Sequence, residues 1–234
     1  MWQQKNKGKL LGLALVLAVL ATAFYFGGNA PGAKGWDVTA DLPAPLPAPG
    51  QSTPASTPET GMVIDPETGK DKYLTDPVPE GKPLPVEPQD VTIGTTAYSC
   101  TLSISCATIL DNMNLCDPTK RDLVPADGWI LRPVTVTFYE GESVFNLLRR
   151  VCKQQKIHME FENTPIYNSA YIEGIHNLYE FDVGELSGWM YKVNEWFPNY
   201  GCSRYALKDG DVICWVYTCD LGNDVGGGYA AGNK

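Results

Sequence analysis

Eight side chains near the end of this 234-residue chain are of types that hold a planar or apolar ligand: Trp189, Tyr191, Asn194, Trp196, Phe197, Asn199, Tyr200 and Arg204. They fall in and just after one run, Ser187-Gly-Trp-Met-Tyr-Lys-Val-Asn-Glu-Trp-Phe-Pro-Asn-Tyr-Gly-Cys202, with Leu207-Lys-Asp-Gly-Asp-Val-Ile213 close behind. Two apolar strands flank a tip crowded with Trp196, Phe197 and Tyr200. Beyond the strand ends and beside Pro198-Asn199, these three rings are expected to be exposed, and rings left wet mark a ligand or partner surface. They would stack on a ligand while Asn194, Asn199 and Arg204 set its orientation. For Trp189 and Trp215, inside strands, core burial is the expectation.

Catalytic and metal chemistry find weaker footing. The only histidines are His158 and His176. His158 shares the polar face of a strand with Glu160 and Glu162, which reads as a solvated face rather than a metal site. Val216-Tyr217-Thr218-Cys219 ends a strand as the nucleophile of a sortase-like peptidase would, but no arginine follows Cys219 to serve the oxyanion. Asp209, Asp211, Asp220 and Asp224 are read as four carboxylates near one end of the last strand, a possible calcium set. Their spacing is not that of an EF-hand, and Asp-Gly is ordinary turn chemistry. No nucleophile–base pair or metal cluster emerges, so the expectation is a binding protein with no certain cofactor, not an enzyme.

The elements that must position the aromatic run are legible. Tyr98, Cys100, Leu102, Ile104 and Cys106 alternate with serines and a threonine, a strand with one wet face. A short helix or turn is expected around Ile109 to Leu115. Val134, Val136 and Phe138 give a second strand. Ser143 caps a helix whose Val144, Leu147, Leu148, Val151 and Cys152 form one apolar stripe. Ile157 to Phe161 and Tyr171 to Ile175 read as further strands, and Trp189–Val193 and Val212–Tyr217 complete the sheet. The expectation is an α+β domain with one small mixed sheet packed on one main helix.

Composition divides the chain into residues 1–28, 29–92, 93–226 and 227–234. Lys5, Lys7 and Lys9 precede an uncharged apolar run from Leu10 to Phe26, read as a signal anchor or transmembrane helix with the rest of the chain outside. Ala21-Thr22-Ala23 leaves open the other reading, cleavage after Ala23 and secretion. Thirteen of the 18 prolines lie between residues 31 and 88, so 29–92 is read as a disordered, semi-stiff linker. Residues 227–234 are read as a flexible tail.

From residue 93 on, 11 Lys and Arg stand against 17 Asp and Glu; this acidic balance argues against nucleic acid as the partner. All seven cysteines lie in this part, and outside the cell they can form disulfides, with at least one thiol left over. Cys100 and Cys106 lie ~20 Å apart on a straight strand, too far to join. Cys202 and Cys219 frame the last strand pair and are the first candidate bridge.

The runs Ser187–Asn194, Tyr205–Ile213 and Tyr139–Leu148 resemble the transcobalamin-like C-terminal domain of bacterial surface proteins, which is related to the β-domain of intrinsic factor and transcobalamin. The resemblance covers about residues 95 to 226. It implies a β-grasp-like fold of the soluble-ligand-binding superfamily, with the strand around Trp189 and Tyr191 and the following loop facing a corrinoid. The leading expectation is a surface-anchored protein capturing a small molecule, with cobalamin or another corrinoid as first candidate. The alternative is an adhesion module holding a cell-surface protein with the same aromatic loop.

Overall fold

A computed structural model describes residues 62–231. The expected anchor at 1–28, the first half of the expected linker and the last three residues lie outside that range. Among the described residues, no helix is long and apolar enough to cross a membrane.

Where apolar residues alternate, strands form. β1 (Ala97–Ser105) buries Cys100, Leu102 and Ile104, with Cys106 just past its end, and β2 (Trp129–Tyr139) runs antiparallel to it. The expected turn of helix after β1 is a 3-10 segment, Ala107–Asn112. Helix α1 (Val144–Gln155) begins at Ser143, whose side chain accepts from the Asn146 amide while the Asn146 side chain returns a bond to the cap. Its stripe of Val144, Leu147, Leu148, Val151 and Cys152 is buried. Then come β3 (Met159–Thr164), β4 (Ser169–Ile175), β5 (Leu178–Tyr179), β6 (Gly188–Val193) and β7 (Val212–Thr218).

These strands do not share one sheet, as expected from the sequence, but form two. The first, mixed, has the order β2-β1-β7-β6, with β1 and β7 parallel; the second is antiparallel, β3-β4-β5. Alternation reveals which face a strand buries but not its neighbour, so the division could not be read in advance. In the first sheet the register sets Ile104, Trp215 and Tyr191 in one row and Leu102, Ile213 and Val193 in the next. Both rows belong to one core with the α1 stripe. Trp189 and Trp215 are buried, as strand residues of this kind should be.

The β6 hairpin closes through Asn194 and Glu195, both with positive φ (50° and 61°), and Val193 and Trp196 exchange backbone hydrogen bonds of 2.8 and 3.0 Å. This is a two-residue turn whose backbone favours Asn then Gly. Asn194 also grips Asp211 and the Val212 amide. A glutamate fits φ 61° poorly, so Glu195→Gly is expected to raise stability by about 1 kcal/mol in urea unfolding. The Lys192–Glu195 pair that is lost is exposed on the glutamate side and contributes little.

The segment 62–92, expected to be a disordered linker, packs as an ordered strap, and the reason is a buried charge. Arg204 is 1% exposed. Its guanidinium donates to Asp71 at 2.7 Å, Thr75 at 2.7 Å and Glu87 at 3.2 Å, and lies over the Tyr73 ring. Such a cation must be paired to stay buried, and its partners all come from the strap. The backbone supplies more ties: the Tyr200 hydroxyl donates to the Pro83 carbonyl, Asn199 to that of Asp76, and the Val86 amide to that of Arg204. At the other end, Gly227 fits against the Phe197 ring and the Tyr229 hydroxyl accepts from the Phe197 amide. The described part of the expected tail is therefore also packed.

Two smaller expectations change. The four aspartates lie at opposite ends of β7: Asp209 and Asp211 cap its entry through Ser99, Lys208 and Asn194, while Asp224 caps the exit at Cys219. Seven residues of strand separate the two pairs. Cys202 and Cys219 are both free thiols. Cys202 is buried against the Ala170 carbonyl, whereas Cys219 lies past the end of β7 beside Thr108, so their neighbours differ.

Candidate functional site

Between the two sheets lies a cleft of about 320 Å³, at the small end of the ~300–1,000 Å³ usual for ligand pockets. One wall is Trp189, Met190 and Tyr191 of β6 with the Pro198–Gly201 loop. Thr164, Tyr167 and Ser169–Tyr171 around β4 add to it, as do strap residues Tyr73, Leu74 and Thr75, and Ala230. Six aromatic rings line it and none of the lining residues carries a charge.

Of the eight residues expected to hold a ligand, four meet here: Trp189, Tyr191, Asn199 and Tyr200. The other four do not. Trp196 and Phe197, expected to be exposed, are 8% and 2% exposed because the strap and the C-terminal turn cover them; Tyr200 is 6% exposed for the first of these reasons. Lys82 lies over the Trp196 ring. Asn194 is committed to the hairpin turn, and Arg204 to the strap. Arg204 thus orients a wall of the cleft rather than a ligand.

The rings are fixed by hydrogen bonds as well as packing. The Trp189 indole donates to the Leu178 carbonyl at 2.8 Å and meets Tyr217 edge-on at 5.2 Å. The Tyr191 hydroxyl donates to the Tyr200 carbonyl at 2.8 Å. Burial pushes the Tyr191 and Tyr200 phenols well above their ordinary range, so both stay neutral donors. Asn199 gives its amide N–H to Asp76, but its Oδ1 is buried with no hydrogen-bond partner.

A second cleft of about 460 Å³ runs between the strap at Val86–Ile93, the start of α1 and the β3–β4 turn. Several of its polar groups are committed to partners within the fold. Ser143 and Asn146 bond each other, Asn168 bonds Glu87 and Gln89, Ser203 accepts from the Ala170 amide and Ser169 from the Ser203 amide. Phe145 is its one aromatic ring against six in the other, so the aromatic cleft is the stronger candidate for a ring-bearing ligand.

The other groups weighed for chemistry are poorly placed for it. Burial pushes the Cys219 thiol up to about 11, which removes it as a thiolate nucleophile near neutral pH. His158 Nε2 lies 3.3 Å from Glu160 at the exposed start of β3.

Cleft residues missed from the sequence include Tyr73, Leu74, Thr75, Tyr167, Tyr171 and Ala230. A signal existed for the first three. Met62-Val63-Ile64 and Tyr73-Leu74 interrupt the small-residue and proline composition upstream, and Asp71 has the spacing to cap its own turn at Tyr73 and Thr75.

A family model described as a domain of unknown function (DUF4430) matches residues 141–219, about a third of the chain. No curated protein matches in sequence. Among solved structures, haptocorrin in complex with Cbi is similar at 14% identity and a TM-score of 0.39, over 54% of this chain and 26% of that one. A protein of Ruminococcus gnavus described as a candidate metal-binding protein is similar at 12% identity and a TM-score of 0.32, over 52% of this chain and 96% of that one. This chain therefore spans about a quarter of the haptocorrin chain.

Proposed function

We propose that this chain is a non-catalytic binding module of β-grasp-like build that takes an uncharged, ring-bearing small molecule in the aromatic cleft. Displayed on the 1–28 anchor, or released after Ala23, it would meet that ligand outside the cell. The observation that carries the reading is the cleft itself: six rings and no charge. An apolar lining with few polar groups is the make-up of a small-molecule site. Cobalamin or another corrinoid is the first candidate, on the resemblance of the Ser187–Asn194 and Tyr205–Ile213 runs. A cleft of about 320 Å³ would take a corrinoid by one edge, leaving most of it outside.

Titration of the purified full chain with cobalamin and with cobinamide, followed by the corrin visible spectrum and by binding heat, tests this reading. Saturable binding at micromolar concentration or tighter is expected. No binding of either at millimolar concentration removes corrinoids as the ligand.

One observation favours a second reading. Ile166, Tyr167 and Tyr171 are exposed beside the cleft. A protein partner would dock on that apolar rim rather than on the Trp196–Tyr200 loop, which the strap covers.

A further inference from the structure

Leu74 sits at the tip of the Asp71–Thr75 turn with φ 61°, 42% exposed, on the wall of the aromatic cleft. A leucine gains nothing in that backbone region, where its Cβ crowds the following carbonyl, and an apolar side chain gains nothing by facing water. It belongs to no part of the buried core.

The turn that holds it is fixed at every point. The Leu74 amide donates to the Asp71 carbonyl at 3.0 Å and the Asp71 amide to that of Thr75 at 2.9 Å. Asp71 Oδ1 accepts from the Tyr73 and Thr75 amides, both at 2.8 Å. Asp71 Oδ2 and the Thr75 hydroxyl accept from Arg204, on which the Tyr73 ring lies. Strained, exposed apolar residues held by a rigid frame occur where the frame presents them to something.

Building on the ligand reading above, we propose that the Asp71–Thr75 turn is a ligand-contacting wall of the aromatic cleft, with Leu74 as a specificity-determining contact and Arg204 as the residue that positions it. The binding site then extends outside the region matched by the family model, and part of its selectivity is set by the strap. Since no lining residue is charged, the ligand face that meets Leu74 and the rings is apolar and uncharged.

The test uses Nile red, a neutral planar dye whose emission rises when it leaves water, with the full chain and its Leu74→Asn variant. Asparagine tolerates positive φ and keeps a Cβ, so the unfolding midpoint is expected to stay equal or rise. Dye affinity is expected to fall about tenfold through loss of the apolar contact. Arg204→Lys, which keeps the charge but loses the fork, is expected to weaken dye binding as well. Equal dye affinity in Leu74→Asn overturns the wall, and so does a parallel loss of affinity and stability, which would make Leu74 merely structural. A wild-type chain that binds no dye overturns the cleft together with its wall. Dye binding without corrinoid binding removes only the corrinoid.

Discussion

A chain that begins at Ile93 will unfold about 6–20 °C below one that begins at Met62. The short chain loses the strap that covers Arg204, Trp196 and Tyr200, and with it the carboxylates of Asp71 and Glu87 that pair with the guanidinium. Wetting those two rings costs roughly 3–5 kcal/mol by apolar area, and each kcal/mol shifts a domain of this size by ~2–4 °C. Circular dichroism melts of the two chains measure the difference.

A charge cycle isolates the cause. Arg204→Met should change the short chain little, where the guanidinium reaches water, and destabilise the long one, where Asp71 would lose its buried counter-ion. An equal effect in both chains would mean that the strap acts through packing and not through the ion pair. Acid gives a second handle. Burial alone would raise the Asp71 carboxyl, but the hydrogen bond from Arg204 and the amides of Thr75 and Tyr73 outweigh it and hold it below its ordinary value. A depressed acid stabilises the fold above its unfolded pKa and loses that contribution as pH falls through the folded value. The advantage of the long chain should therefore shrink below about pH 4.

That strap is also where sequence reading stopped short. Helix α1 was legible because its information is local: a cap at Ser143 and a stripe at helical spacing. The inward faces of β1, β6 and β7 were legible for the same reason, since alternation is a property of consecutive residues. The tip rings look exposed in the sequence because the atoms that cover them lie far away along the chain. Tyr200 bonds to Pro83 and Arg204 to Asp71, and Asn199 to the Asp76 carbonyl. Much of the cover is backbone carbonyl, which composition does not record. A proline-rich segment lacks the apolar area to fold alone, but it can lie on a domain that supplies the rings and the buried cation.

The partition into two sheets was hidden in a related way. β4 turns into β5 through His176 and Asn177, both at positive φ, and two residues of β5 are too few to show a period. The candidate site inherits this: its β6 wall was named from the sequence, and the strap and β4 walls were not.

Where the two sheets meet, Trp189→Ala is expected to cost ~3–5 kcal/mol and to abolish dye binding. Trp189 belongs to the first sheet, yet its indole donates to Leu178 of the second. Its edge partner Tyr217 repeats the link, with its hydroxyl on the Tyr179 carbonyl and on Ser187. Truncation to alanine empties a large volume in the core and frees a buried carbonyl, while widening the junction that bounds the cleft. Trp189→Phe separates the two effects. It keeps a ring in the wall and loses only the indole donor, about 1–3 kcal/mol for the carbonyl left unpaired. Urea unfolding with Nile red titration reads both quantities on the same samples. If the alanine variant stays within 1 kcal/mol of wild type by this ~3–5 kcal/mol reckoning, Trp189 is not the joint between the sheets. If it is destabilised as expected but still binds dye, the cleft wall is elsewhere. Loss of both in the alanine variant, with dye binding kept in the phenylalanine variant, is the pattern of a ring that joins the sheets and meets the ligand on the same face.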